Sequence, residues 1–386
     1  MIEKHMGHLS GTQITVLALW SYGMVLAKTC GLSSVAMALA TDFGEKESNF
    51  RQRLREWYWD KKDKQGKKRV DWEVSQNFVP LLKWILAFWS PNEQKLVLAM
   101  DATSLKKLFV VLSISVVYRG CAIPIAWTIL CEGQKGSWKE PWLRLFKGLQ
   151  GSTPADWLII VAADRGLYAR WLYEAIQGCG WHPLLRINLR SKYRPKGDAD
   201  FRPMSQLLPG AGSVWAGKVT CFAINSVEGT LLACWGTKHL EPWIILTDLP
   251  PENASAAWYG MRSWIEDSFK DLKSDGWQWQ NTRMSDPDRA ARLWLALAVA
   301  TLWVVSVGGE LDAKLQACDL SHLPLTHIAR KTKIHSFKAR KISCFARGII
   351  HVLTALINHR PISLGSFLPE PWPLKTYPGK LPSSPN

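Results

Sequence analysis

Two aspartates and a glutamate, Asp101, Asp164 and Glu266, form a set able to hold divalent cations. Asp101 directly follows the apolar run Leu96 to Met100, and Asp164 directly follows Trp157 to Ala163. If both runs are neighbouring strands, their ends bring two carboxylates together, and like charges that close are costly unless a cation lies between them. A third carboxylate, Glu266 on a nearby helix, would complete an oxygen-ligand site for two magnesium ions. Two such ions, roughly 3.5 to 4 Å apart, activate the attacking oxygen and stabilise the leaving oxygen of an in-line phosphoryl displacement. Taken singly, an aspartate after a strand is more often a turn residue or a helix cap.

The third carboxylate has a pattern around it. Tyr259, Arg262, Glu266 and Lys273 fit Y-x2-R-x3-E-x6-K. On a helix, steps of three, four and seven keep all four on one face. That face would carry a metal-binding carboxylate flanked by a phenol and two cations suited to phosphate oxygens. The competing reading of this helix alone is an amphipathic one whose polar face meets solvent.

The elements that must position these residues fall into zones. Residues 1 to about 90 are helix-like, with an apolar stretch from Ile14 to Ala27, a turn at Thr29 to Ser34, and Val35 to Ala40. Helix, Gly-containing turn and helix is a helix-turn-helix pattern, equally common in proteins that never touch DNA. Arg51 to Arg69 follows, a strongly basic run including Lys67, Lys68 and Arg69, readable as a solvated loop or as a phosphate-binding surface. From Leu96 the texture becomes β: Leu96 to Met100, Leu108 to Tyr118 and Ala122 to Leu130 predict an antiparallel meander. A helix over Glu140 to Leu149, a strand over Trp157 to Ala163, a helix over Leu167 to Gln177 and a strand around Pro183 to Ile187 come next. That order predicts a ribonuclease-H-like α/β domain. Residues from about Asn188 to Pro250 read as a β-rich insertion, with Val214 to Ala223, Thr230 to Trp235 and Trp243 to Thr247 as its strands. Helix resumes over Ala254 to Leu272 and Pro287 to Val307, and the tail from Pro361 to Asn386 is Pro-rich, expected to be irregular or disordered.

The chain therefore divides into a helical domain at 1–90, an α/β catalytic domain at 91–310 with the insertion at about 188–250, a basic segment at 311–360 and the tail at 361–386. Arg330, Lys331, Lys333, Lys338, Arg340 and Lys341 make the basic segment a DNA-backbone surface or a solvated one.

Bulk composition narrows the partners. Lys and Arg number 48 against 32 Asp and Glu, a net charge of +16, which favours a polyanion, nucleic acid ahead of an anionic membrane. The longest apolar run, Leu293 to Val307, falls short of the roughly 20 residues a bilayer needs, so it reads as a buried core helix and no membrane partner is expected. Eight scattered cysteines show no zinc spacing and no disulfide framework, and read as buried thiols in a reducing cytoplasm. The 22 tryptophans include Trp57, Trp59, Trp277 and Trp279 near basic residues, where an indole stacks on a base or, more commonly, packs in a core.

Taken together, the Met100-Asp101-Ala102-Thr103 and Ala163-Asp164-Arg165-Gly166 segments and the Tyr259-Arg262-Glu266-Lys273 pattern resemble the DDE transposases of bacterial insertion sequences, the Y-R-E-K signature subgroup in particular. The resemblance covers about Leu96 to Val307. It implies that Asp101, Asp164 and Glu266 are catalytic ligands of Mg2+, with Mn2+ substituting, and that Tyr259, Arg262 and Lys273 contact DNA near the scissile phosphate. It also implies a β-rich insertion before the glutamate, transposon ends and target DNA as partners, an N-terminal domain that binds the ends, a homo-oligomer in the DNA complex and association with the nucleoid. Some relatives pass through a DNA hairpin, for which Trp235 or Trp243 could stack on a flipped base, although both more simply pack the insertion's core. The rival readings are a metal-dependent nuclease on the same scaffold and a non-cutting DNA-binding derivative.

Overall fold

The structure, a computed structural model, describes residues 1–64, 72–134, 136–237, 239–314 and 342–373. Lys67, Lys68 and Arg69, the whole cluster from Arg330 to Lys341, Cys318 and the end of the Pro-rich tail lie outside the described residues.

Five helices open the chain: α1 (Ile2–His5), α2 (Gly11–Ala27), α3 (Leu32–Phe43), α4 (Glu47–Tyr58) and α5 (Phe78–Ala87). Ser10 starts α2 with a capping box, its hydroxyl accepting from the Gln13 N–H while the Gln13 side chain accepts from the Ser10 N–H. Between α2 and α3 the axis turns by 93°. Close packing fixes that corner, because a Cβ at Gly23 would lie only 2.7 Å from Val35 Cγ1. Leu17, Trp20 and Met24 of α2 and Val35, Ala36 and Leu39 of α3 are buried, whereas Ser33, Ser34, Met37 and Thr41 of α3 are exposed. At its C-terminal end, α4 is tied to a later helix: Trp57 Nε1 donates to the Arg292 carbonyl, and Asp60 accepts from Arg289 and Arg292, each at 2.9 Å.

The Val-, Ile- and Leu-rich runs then pair as expected of strands buried on both faces. β1 (Lys95–Leu105), β2 (Phe109–Tyr118) and β3 (Cys121–Cys131) form an antiparallel meander. Every residue of β2 is buried, so both faces of the sheet are covered there. After α6 (Lys139–Leu149), β4 (Leu158–Ala163) pairs parallel to β1 on its other side. After α7 (Arg170–Gly178), β5 (His182–Arg186) continues parallel to β4.

The β-rich stretch that follows is not a separate sheet. β6 (Lys192–Pro195), β7 (Arg202–Pro203), β8 (Val214–Cys221), β9 (Val227–Cys234) and β10 (Trp243–Thr247) extend the same one, because β10 returns antiparallel to β5. The ten strands run in the order β3-β2-β1-β4-β5-β10-β9-β8-β6-β7.

Three helices close the core: α8 (Trp264–Lys270), α9 (Pro287–Ala313) and α10 (Cys344–Ile357). Asp286 caps α9 by accepting from the Asp288 and Arg289 N–H groups, with Pro287 in the first turn. The apolar run Leu293 to Val307, expected to be too short to span a bilayer, belongs to this 27-residue helix, which is long and apolar enough to cross one. Its apolar window is 89% buried inside the fold, and Trp57, Trp127 and Trp277 donate to groups along it, which is how a core helix behaves. α9 and α10 cross with backbones in contact: a Cβ at Gly308 would meet the Cys344 carbonyl and one at Gly348 the Val304 carbonyl.

Beyond α10 the chain is irregular but packed: Phe367 is buried and bridges to Trp89. Trp277 and Trp279 are fully buried, so the core reading holds for both. The cysteines divide: Cys30, Cys121, Cys221 and Cys344 are buried, Cys179 and Cys234 partly so, and Cys131 is exposed, correcting the expectation that all are buried thiols.

Candidate active site

β1 and β4 carry the two aspartates to adjacent positions. The parallel ladder ends on the pair Met100 and Ala163, and Asp101 and Asp164 are the next residue on each side. Asp101 does not follow its strand, as the sequence suggests. It lies within β1, which continues to Leu105 because Ala102, Thr103 and Ser104 keep pairing with Leu112, Val111 and Val110 of β2. One oxygen of Asp101 accepts from the Ala102 N–H at 2.9 Å, and one of Asp164 from the Arg165 N–H at 2.8 Å.

The segment carrying the other four residues is not one α-helix over Ala254 to Leu272. Ala256–Ser263 is 3-10, Trp264–Lys270 is α and Asp271–Asp275 is π. The spacing suits this sequence of windings. Three residues per 3-10 turn stack Arg262 over Tyr259, and the α-turn brings Glu266 beneath Arg262. The wider π-turn then resets the phase for Lys273.

All four side chains are directed at the ends of β1 and β4. The Tyr259 hydroxyl donates to Asp164 Oδ1 at 3.1 Å. Arg262 Nη2 lies 2.8 Å from Asp101 Oδ2, and its Nη1 donates to Glu266 Oε1. Lys273 Nζ donates to Thr103 Oγ1 at 2.8 Å and reaches the Ser104 carbonyl at 3.4 Å. Tyr259 and Arg262 are buried, so a polar face turned to solvent does not describe this helix. Asp101 and Glu266 thus share one guanidinium, whose charge also acts on Asp164.

Electrostatics separate the two aspartates. For Asp101, burial pushes the pKa up, and this outweighs the Arg262 charge and the Ala102 N–H, with Glu266 and Asp164 adding repulsion. Burial also raises that of Asp164, but Arg262, the Arg165 N–H, Tyr259 and Arg186 together overcome it and the net shift is downward. Arg262 is driven up: burial lowers its pKa, but Asp101, Tyr259, Asp164 and Glu266 more than compensate. The Tyr259 hydroxyl is held protonated by burial first and then by the Asp164 charge. Burial lowers the pKa of Lys273.

Sequence reasoning missed a second set of neighbours. Arg186, at the end of β5, is buried and places Nη1 3.8 Å from Asp164 and Nη2 3.3 Å from Glu241. Glu241 also accepts from Arg165 at 2.9 Å. A cation inside the otherwise apolar run Pro183 to Ile187 is the available signal for Arg186, whereas Glu241 in a loop before β10 gives none. Trp243 packs edge-on against Tyr259 at 5.2 Å and tilted against His239 at 5.4 Å, so it buttresses the tyrosine that holds Asp164. Trp235 is partly buried and donates to the His239 carbonyl.

The donor set fits a hard divalent cation: three carboxylates converge on a position that already holds positive charge. As arranged, no three His, Cys, Asp or Glu side chains among the described residues are grouped so as to hold one ion, and the Arg262 fork lies between Asp101 and Glu266.

Residues 140–303 match the family model of the transposase DDE domain. The matched stretch contains Asp164, Tyr259, Arg262, Glu266 and Lys273 and begins after Asp101. No curated protein matches the chain. A mixed α/β architecture with a large sheet is consistent with this domain, and the match supports a DDE transposase.

Proposed function

We propose that this chain is a transposase that cuts DNA at the ends of an insertion sequence and joins the freed 3′ ends to target DNA. The observation that carries the proposal is the convergence of Asp101, Asp164 and Glu266 at the ends of the parallel pair β1 and β4. The order β3-β2-β1-β4-β5, antiparallel and then parallel, supports a ribonuclease-H-like catalytic core with the β-rich insertion appended to its edge. Residues 1–90 would bind the transposon ends, with the corner of α2 and α3 as a helix-turn-helix, and two copies would pair two ends.

Asp101, Asp164 and Glu266 would hold Mg2+ or Mn2+, which supplies activation of the attacking oxygen and charge neutralisation at the phosphate when bound. The chain's own residues do the rest. Tyr259 aims Asp164 through its hydroxyl hydrogen bond. Lys273, held at the rim by Thr103, offers a cation to a phosphate oxygen of the incoming strand. Arg262 offers a planar fork able to take two oxygens of one phosphate. Arg186, buried 3.8 Å from Asp164 and paired to Glu241, adds to the Arg262 charge that favours ionised Asp164.

The test is cleavage and joining of a labelled duplex carrying the element's own end, with Mg2+ or Mn2+. Wild type is compared with Asp101→Ala, Asp164→Ala and Glu266→Ala. Cutting and joining by wild type, with all three variants binding DNA but doing nothing more, is the expected result. Full activity in any variant removes that residue from the site. Cutting without joining replaces the proposal with a nuclease, and binding without cutting replaces it with a DNA-binding derivative.

A further inference from the structure

Arg262 occupies the place a cation shared by Asp101 and Glu266 would take. Its two terminal nitrogens are divided between those carboxylates, Nη2 at 2.8 Å from Asp101 and Nη1 on Glu266, and its side chain is only 5% exposed. Asp164 acts on the same charge. A guanidinium and a metal ion cannot both lie between Asp101 and Glu266, and among the described residues no ligand trio is close enough to bind an ion while the fork is there. We infer that Arg262 is an internal counter-ion that keeps the carboxylate trio closed to divalent metal until a DNA phosphate draws it away, so that metal loading follows DNA binding. The inference rests on the proposed transposase reading.

Three features favour exchange over a permanent ion pair. First, the pairing is incomplete: Arg262 Nε is buried and finds no hydrogen-bond partner among the described residues, a cost that a new bidentate partner would relieve. Second, Arg262 gives one terminal nitrogen to Asp101 and the other to Glu266 and so forms a two-point pair with neither, leaving each contact weaker than the bidentate one a single phosphate could offer. Third, the site has an open side. The side chains of Asp101, Asp164 and Glu266 are 18, 26 and 30% exposed, while the arginine is not, so a phosphate reaching the mouth meets the carboxylates' rim and can compete for the fork. A phosphate binds a guanidinium in the same two-point geometry as a carboxylate does. Freed of it, Asp101 and Glu266 lose the cation they share, and a metal ion can take its place.

The experiment measures Mn2+ binding to the full chain by the spin resonance of free Mn2+. Wild type is compared with Arg262→Gln and Arg262→Lys, alone and with a duplex carrying the element's end, after subtracting the same duplex with Asp101→Ala. Without DNA, Arg262→Gln should bind Mn2+ at least tenfold more tightly than wild type, with Arg262→Lys between them. Wild type should gain a similar factor when the duplex is added, and Arg262→Gln should gain little. Thermal melting gives a second readout that survives partial destabilisation of the variant: added Mn2+ should raise the Tm of Arg262→Gln more than that of wild type. Equal or weaker Mn2+ binding by both variants, in a wild-type preparation that cuts DNA, overturns the counter-ion role and leaves the transposase proposal standing. Absence of Mn2+ binding in every arm overturns both.

Discussion

Tyr259 and Asp164, 95 residues apart, are joined by a hydrogen bond of 3.1 Å from phenol to carboxylate. The 3-10 segment thus grips the end of β4 directly, and the orientation of Asp164 depends on a residue outside its own strand. Tyr259→Phe keeps the ring, including its edge contact with Trp243, and removes only the donor. A hydrogen bond to a charged acceptor is worth about 1.5–3 kcal/mol. DNA cleavage should therefore slow by about tenfold or more, since tenfold in rate is about 1.4 kcal/mol. The melting temperature should fall by only a few degrees. A rate equal to that of wild type in a gel-based cleavage assay would mean that the hydroxyl does not aim the carboxylate.

Replacing the two aspartates should move stability in opposite directions although each replacement stops cleavage. Burial makes the Asp101 charge unfavourable in the fold, and its pKa lies above the ordinary value. Asp101→Asn should then be neutral or stabilising at pH 7. Asp164 has the reverse sign: its folded pKa lies below the ordinary value, so its contribution is present above the unfolded pKa of about 3.9 and is lost as pH falls through the folded value. Asp164→Asn should cost stability at pH 7, with the deficit shrinking as pH falls through the folded value. Urea unfolding of both variants at pH 7 and pH 4 decides the matter, and loss of stability in Asp101→Asn equal to that in Asp164→Asn would contradict it.

Asp271 provides a pH dependence away from the carboxylate trio. Burial raises its pKa to about 7, helped by Asp267 and Asp275 and opposed by Lys270. A folded pKa above the unfolded one means that the fold prefers the protonated group. Stability from this residue is complete below about pH 4 and declines as pH rises to about 7, after which it is level. Asp271→Asn removes the decline. The variant should match wild type at pH 4 and exceed it by up to about 4 kcal/mol at pH 8, each pKa unit being about 1.4 kcal/mol. Melting curves at the two pH values test this, and an advantage independent of pH would point to packing in the π-turn instead of charge.

The spacing of Tyr259, Arg262, Glu266 and Lys273 is legible in the sequence because each step suits a helical face. The change of winding beneath it is not, since no residue in Ala256 to Asp275 marks where 3-10 gives way to α and α to π. Tertiary contacts hold those windings, with Tyr259 drawn to β4 and Lys273 to Thr103 of β1. The run Leu96 to Met100 shows a strand, but its continuation through Asp101 to Leu105 depends on pairing with β2, a long-range fact hidden from local composition. The strands after Asn188 are visible as short β-prone pieces between Gly and Pro. Their union with the main sheet rests on two residue pairs, Ile245 with Arg186 and Leu246 with Leu185, and nothing in either strand alone announces the partner. Arg186 stays hidden for the same reason, because its meaning comes from Asp164 and Glu241 on other elements.

The exposed side of α3 allows a prediction about how DNA ends would be read. Ser33, Ser34, Met37 and Thr41 present hydroxyls and a thioether, and the one exposed charge of α3, Asp42, accepts from the Tyr22 hydroxyl, which suits base edges and methyl groups better than phosphates. Cations lie on the next helix, where Arg53 is exposed and Arg55 partly so. Ser34→Glu combined with Thr41→Glu should weaken binding to the element's end by at least tenfold, because carboxylates would face the polyanion. Surface changes of this kind normally alter stability by no more than about 0.5 kcal/mol, so the variant should melt with wild type. Arg53→Ala should instead weaken binding to all duplexes alike and flatten the dependence of affinity on salt, as the loss of one phosphate contact does. Fluorescence anisotropy with specific and scrambled duplexes at several salt concentrations separates the two effects. If the double glutamate variant binds the element's end as tightly as wild type, α3 does not enter the groove, and end recognition lies elsewhere in the chain.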